Sequence, residues 1–532
     1  MSGIAGTPHT DEPVGHAHPD AASDGAAIGR VETRGIDYIP EEQRHSNPLN
    51  LLWVWIGTQM CFGILVVGWL PVAFGLGWWS ALSAITVGLG IGCLLFAPFS
   101  LLGPRTGTNS AVSSGAHFGL VGRLVGSLQA LFIAIGFAAL TIWNGGDAIV
   151  AGLARLIGTP DNDAMRIVVY AVLSGVVVTI AIYGHAMVLA MQKFLVPTIG
   201  LVLVVGFFAK AGDFDAGYGG GDYLLGSFWP TWLLSVTVAL ALPISYTPFA
   251  NDYARYVSRT RFSNRAVMVC SGVGMFVGCW LALVFAAYMA TMFAPGTATF
   301  AGGLVGVSSN WYVVLVLLIG LFGGFAQGAL ALYGTGLDTS SLLPRLPRVP
   351  ATLFVSAIAI VIVYVGGLVL DAVDTVSAFL LVLNVVCTPW MIITLMGLAY
   401  CRGRYRPYDL QLFNMGQTGG AYWYWHGLNL RAFAAFLPAV IVGLLFCNTT
   451  LFVGPWADSF GGIDMSFISS AVIATAIYGL LLLVSPERNH PSRDEPEVVL
   501  TRAEEAAAAA STLAPHDGGS AAVPATVPVA AD

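Results

Sequence analysis

Charge is what this sequence has least of. Only 10% of its 532 residues are Asp, Glu, Lys or Arg, and every Glu lies in the two tails, with none between residues 43 and 486. No His pair stands at metal-ligand spacing inside an apolar run, and neither G-x-S-x-G nor H-E-x-x-H occurs. The chain is therefore not expected to be an enzyme, and neither a cofactor nor a protein-held metal is expected. The net charge of −7 reflects tails and outer loops, which excludes a nucleic-acid face. The first 45 residues contain no apolar leader, so no cleavable signal is expected and the first apolar run acts as its own insertion signal. Of seven cysteines, six lie in or at the ends of apolar runs and Cys401 lies just beyond one, which predicts free thiols and no disulfide frame.

What is present in excess is apolar surface. A hydrophobic content of 56% and a mean hydropathy of +0.77 describe an all-α polytopic membrane protein. Runs of about 20 apolar residues, enough to cross a bilayer, fall near 50–73, 78–99, 124–149, 165–184, 188–209, 230–256, 266–293, 311–333, 350–370, 374–400, 431–453 and 465–485, which makes about 12 transmembrane helices. Flanking them, residues 1–45 and 487–532 read as disordered tails, leaving 46–486 as the membrane domain; His9, His16 and His18 read as solvated tail histidines. With both tails cytoplasmic, 19 of the 22 Lys and Arg fall on the cytoplasmic side, and only Arg155, Arg166 and Lys210 on the other. That asymmetry sets the expected orientation in the plasma membrane.

Two of these runs are broken in a way that packing alone does not need. The sixth reads A-L-P-I-S-Y-T-P-F-A-N-D-Y-A-R-Y, with Pro243 and Pro248 each removing a backbone donor and Ser245, Tyr246 and Thr247 between them. The first carries I-G-T-Q-M-C-F-G, placing Gln59 and Phe62 at a polar, Gly-rich interruption. Interruptions in corresponding helices of two halves point to an inverted-repeat transporter with its site between them; a Pro-kinked packing helix is the plainer reading. In the third run Trp143 and Asp147 are i and i+4, hence on one face, and a carboxylate within a membrane span suggests function, although a Trp near a helix end also serves as an interfacial anchor. Gln327 is the one strongly polar mid-span side chain of the eighth run. Residues 101–119, rich in Gly, Ser and Thr, read as a loop, Tyr422 to Trp425 as an interfacial belt, and Asp252 with Arg255 as a local ion pair.

The order and spacing of G-P-R-T-G followed by H-F-G, the third-run Trp, Y-T-P-F-A-N-D-Y-A-R-Y, A-L-Y-G-T-G-L, Y-D-L and G-x-N resemble the nucleobase:cation symporter-1 family, in its purine and cytosine permease branch, over roughly residues 46–486. The resemblance implies a LeuT-like five-plus-five inverted repeat with discontinuous helices 1 and 6, and ion-driven uptake of a flat heterocycle. It places Trp143 as the stacking Trp and Tyr246 at or beside a second aromatic. Asp147 falls where relatives often carry Gln or Asn, and Gln327 near the polar positions of helix 8. Sodium-coupled members similar to this chain carry hydroxyls where it has Ala326 and Gln327, so the expected coupling ion is a proton, with Asp147 as the group that takes it. The expected substrate site comprises Trp143, Asp147, Gln59, Phe62, Ser245, Tyr246 and Gln327. The expected partners are the bilayer, a cation and a nucleobase such as cytosine or a purine. Uptake of a related hydantoin, allantoin or vitamin ring remains an alternative, as does a channel or a membrane receptor.

Overall fold

In the computed structural model, residues 36–183, 185–342, 348–449, 452–487 and 489–491 are described. Among them there are helices and connecting turns, with isolated bridges and no sheet. The chain opens with α1 (Pro48–Thr58) and α2 (Phe62–Ala73), which meet at a 62° bend. Then follow α3 (Trp78–Phe99), the short α4 (Leu102–Thr106) and α5 (Ser110–Phe118), the long α6 (Leu124–Ile157), α7 (Asp163–Tyr183) and α8 (His185–Ala209). The middle holds α9 (Phe228–Ser245), α10 (Ala250–Ala254), α11 (Asn264–Ala290), α12 (Phe300–Val307), α13 (Asn310–Gly323) and α14 (Ala329–Leu342). The last part comprises α15 (Arg348–Val369), α16 (Ala372–Tyr400), α17 (Pro407–Gln411), α18 (Leu430–Leu445) and α19 (Ser466–Val484). Nine of the described helical stretches are long and apolar enough to cross a membrane, and the bent α1–α2 pair makes a tenth. Two shorter apolar helices, Lys193–Ala209 and Leu430–Leu445, fall within two further runs of the expected twelve.

Burial separates core from periphery. The most apolar stretch of the α9–α10 span is 94% buried inside the protein, that of α19 only 22%, so the former is ringed by protein while the latter faces lipid on most sides. α6 is the other axis, packing against α2, α5, α7 and α12 to α15. Helices approach each other this closely because glycines face backbone. A side chain at Gly278 on α11 would meet Ile56 Cα at 2.8 Å, and one at Gly145 would meet the Gly320 carbonyl at 3.0 Å.

Several local expectations change. Residues 36–45 are packed rather than loose: Ile36, Tyr38, Ile39 and Arg44 are buried, and Arg44 donates from Nε to the Ile39 carbonyl and from Nη1 to the Pro104 carbonyl, both at 2.8 Å. The remainder of both expected tails, before 36 and after 491, lies outside the described residues. The stretch 101–119 is two short buried helices rather than a loop; Asn109 caps α5 by accepting from Val112 N, and Gly107 ends α4 at φ +68°. Tyr422 is fully buried and only Trp425 of the expected belt is mostly exposed, because the Tyr422 hydroxyl accepts from Arg406 N and the Tyr424 hydroxyl donates to the Ala116 carbonyl. The eighth span runs on to Leu342.

Replacing Gly278 with Val should lower the thermal midpoint of the detergent-purified protein by the equivalent of about 1–3 kcal/mol of overpacking. The same change at Gly90, which has no atom within 4 Å, should leave the midpoint near wild type. Equal effects at both positions would show that backbone approach does not set this packing.

Candidate substrate site

The site is built where three membrane spans lose their regular ladder. Between α1 and α2 the chain turns extended at Cys61 (φ −144°, ψ 162°), and Gly323 of α13 lies against Met60 O and Cys61 Cα, where a side chain would clash at 3.0 and 2.8 Å. On the other side Gly63 approaches Thr141 of α6, whose hydroxyl lies 3.6 Å from Cys61 Sγ. In the sixth span the interruption is one tightened turn, Thr247–Phe249, between α9 and α10. Pro248 deprives the Ile244 carbonyl of its usual donor, and the Thr247 hydroxyl supplies one at 2.7 Å. Ser245 donates to the Leu242 carbonyl at 2.8 Å, so this expected site residue is engaged by its own helix. The third irregularity is a wide π turn, Gly324–Gly328, joining α13 to α14 and carrying Gln327. Such turns recur at functional positions.

These irregular turns bring Gln59, Tyr246 and Gln327 together in the dry interior. Gln327 Nε2 donates to the Tyr246 hydroxyl and Gln59 Nε2 to the Thr58 hydroxyl at 2.8 Å. The amide oxygens of both glutamines are buried with no hydrogen-bond partner. Two orphaned acceptors facing a tyrosine suit a ligand with N–H donors, since each unpaired group costs about 1–3 kcal/mol.

Trp143 and Asp147 stand elsewhere. They are about 200° and about 240° around α6 from Thr141, so when Thr141 faces α2, Trp143 faces α15 and covers Gly366, where a side chain would meet its ring at 2.7 Å. Asp147 Oδ1 accepts from the Tyr170 hydroxyl at 2.5 Å and lies 3.5 Å from Arg166 Nε. Both residues line a cavity of about 260 Å³ with Asp161, Arg166, Thr299 and Asp371, at the membrane face opposite the described chain ends. Tyr246 stacks on Phe137, with ring centroids 5.3 Å apart and planes at 28°. Phe62 packs against Phe300 of α12, with ring centroids 6.2 Å apart.

Three features escape a reading of the sequence. Phe137 is one apolar residue among many and carries no signal. Arg166 and Tyr170 are i and i+4 on α7, a spacing that could have marked them as joint partners of a carboxylate on a neighbouring helix. Asp338, buried on α14, lies near buried Asp252 of α10, close enough for their charges to interact, while Arg255 attracts Asp252; Asp338 Oδ2 and Asp252 Oδ1 have no hydrogen-bond partner. Ending the span at 333 hid that carboxylate.

Tyr246→Phe removes the hydroxyl that Gln327 Nε2 uses and strands that donor. The expected result is a loss of about 1–3 kcal/mol of stability, read as a lower thermal midpoint, which Tyr246→Phe combined with Gln327→Leu should partly restore. A double variant no better than the single one would show that the two side chains are not coupled.

A family model described as permease for cytosine/purines, uracil, thiamine, allantoin matches residues 38–468. The curated relative "Putative purine-cytosine permease YxlA" of Bacillus subtilis (strain 168) is 28% identical over 468 residues, spanning 85% of this chain and 96% of its own length. Among solved structures, Mhp1, a nucleobase-cation-symport-1 family transporter in a closed conformation with bromovinylhydantoin bound, superposes with a TM-score of 0.67 at 16% identity, over 89% of this chain and 98% of its own. A Na+-coupled sialic acid symporter superposes at 0.54 and 11% identity, over 85% and 92%. Both likenesses carry the fold, a LeuT-like helical transporter, and not an activity. With a match across most of its length, the chain belongs to the family of permeases for cytosine and purines, uracil, thiamine and allantoin.

Proposed function

We propose that this permease imports a nucleobase, cytosine or a purine, by symport with protons, across a plasma membrane in which both chain ends are cytoplasmic. The observation that carries the reading is the pair of orphaned amide oxygens, Gln59 Oε1 and Gln327 Oε1, beside the Tyr246 ring. Ring N–H and exocyclic amino groups of a nucleobase donate to both, and its flat face stacks on Tyr246 once Phe137 yields that face. The 19-to-3 distribution of basic residues supports the orientation.

In that orientation the cavity at Trp143 and Asp147 is an outer vestibule. Trp143 receives the ring there on its way inward, and Asp147 is the carboxyl that meets external protons. Protonation would discharge its contact with Arg166 and so couple the vestibule to α7. Ala326 and Gln327 offer no hydroxyl to a sodium ion, which favours oxygen ligands. The buried Asp252 and Asp338 are a second place for the proton, favoured by their mutual proximity at the cytoplasmic end of the same path.

Uptake of radiolabelled cytosine, adenine, hypoxanthine, uracil and allantoin into proteoliposomes, under separate pH and sodium gradients, tests the reading. Accumulation of a nucleobase under a pH gradient without sodium is expected. Accumulation only under sodium would overturn proton coupling, and preference for allantoin would move the substrate to the wider heterocycle class. Gln59→Leu and Gln327→Leu should each weaken ligand binding about tenfold, the equivalent of one hydrogen bond. Trp143→Ala should slow entry. Asp147→Asn should abolish pH-driven accumulation yet spare exchange; if Asp338→Asn does so instead, the proton rides on the inner pair.

A further inference from the structure

The described end of the chain folds back onto α5, away from the polar cluster at Gln59, Tyr246 and Gln327. Beyond α19, Glu487 and His490 stand three residues apart and reach His117 at the end of α5. One ligand atom from each, two imidazole nitrogens and a carboxylate oxygen, lies within 4.8 Å of the other two. The cluster is built into the protein: His117 is fully buried, and the side chains of Glu487 and His490 are 0% and 5% exposed. Its donor atoms are spare. Both ring nitrogens of His490, His117 Nδ1 and Glu487 Oε2 have no hydrogen-bond partner, and His490 Nε2 approaches Glu487 Oε2 only to 3.5 Å. Four orphaned polar atoms in one buried spot are costly unless something binds them.

The surroundings are arranged as an outer shell. Glu487 Oε1 accepts from Asn429 Nδ2 at 2.6 Å and from the Tyr478 hydroxyl at 3.3 Å, which turns Oε2 inward. His117 Nε2 is 3.0 Å from the Tyr405 hydroxyl, and the ring rests on Gly397, where a Cβ would come within 2.2 Å of Nδ1. Metal-ligating histidines and carboxylates are held by just such second contacts.

We infer that His117, Glu487 and His490 bind a divalent transition metal, zinc by ligand type, which pins the segment after α19 to α5. Two imidazoles and one carboxylate are a zinc donor set, and hard cations such as magnesium favour all-oxygen sites. Tetrahedral bonds of about 2.0–2.1 Å need ligand atoms roughly 3.3 Å apart, close to the 3.5 Å already found between His490 Nε2 and Glu487 Oε2. The fourth position opens on a cavity of about 670 Å³ lined by Arg105, Arg402 and Arg404, so water or hydroxide fills it rather than another cation-binding side chain. Cys401 lines the same cavity, but its thiol is directed to the Leu398 carbonyl at 3.6 Å.

The test uses the full chain purified with a non-histidine tag, stripped with chelator, loaded with zinc chloride, desalted and assayed by inductively coupled plasma mass spectrometry. One zinc per chain is expected, falling to background in His490→Ala and Glu487→Gln, with a zinc-dependent rise in thermal midpoint lost in both and absent with magnesium. Zinc held equally by these variants would assign it to other residues, such as the histidines of the N-terminal tail, and overturn the site. Cobalt loading of the unmodified chain is an independent check that needs no variant: intense visible bands of a four-coordinate ion support the site, and their absence overturns it.

Discussion

Every break in a membrane helix leaves backbone groups that water cannot reach, and the interior of this protein is organised around finding them partners. Thr247 answers for the carbonyl that Pro248 strands. Ser110 donates to the Thr247 carbonyl at 3.0 Å, while Asn251 accepts from Gly103 N at 2.7 Å and donates to Ser110 and the Phe99 carbonyl. The broken sixth span is therefore finished by α4 and α5, the two short helices after α3. The irregular turns can hold Gln59, Tyr246 and Gln327 with polar atoms to spare because their own backbone groups are so thoroughly engaged.

The same interlocks explain why separate short motifs occur together. G-P-R-T-G meets N-D-Y-A-R-Y, since Gly103 lies where any side chain would strike Arg255 N at 2.6 Å. H-F-G meets G-x-N: Asn429 N donates to the Phe118 carbonyl at 2.8 Å, its amide donates to the His117 carbonyl at 2.6 Å, and Val121 N donates to Gly427 O at 2.9 Å. What reads along the chain as scattered fragments is, in space, two joints.

The sequence therefore carries the fold well, and it names three polar side chains that meet in space. Hydropathy finds the apolar runs because lipid imposes their length, and Pro243, Pro248 and the Gln59 stretch mark the breaks because nothing else tolerates them at that depth. Gln59, Tyr246 and Gln327 do converge. Trp143 and Asp147 do not join them, and the reason is helical phase: being on one face of α6 says nothing about which neighbour that face meets, and only the packing of Gly63 on Thr141 and of Gly366 under Trp143 decides it. Asp338 was hidden by a boundary, because a polar G-T-G-L-D-T-S-S run looks like an exit from the membrane while α14 continues through it. Phe137 was hidden by chemistry, one hydrocarbon ring among many until Tyr246 lies on it.

The wide turn at Gly324–Gly328 inserts one residue beyond the usual helical count, which offsets the side-chain stripe of α14 from that of α13 by about 100°. Upstream, Gly320 and Gly323 address α6 and the α1–α2 bend; downstream, Gly328 addresses Val177 of α7 and Gly334 addresses Phe249 and Asp252. A straight rod would present a single seam to a single set of neighbours. With one surplus residue the span behaves like a cam with two lobes out of step, one seated on α6 and the α1–α2 bend and the other on α7 and the Asp252 carboxylate.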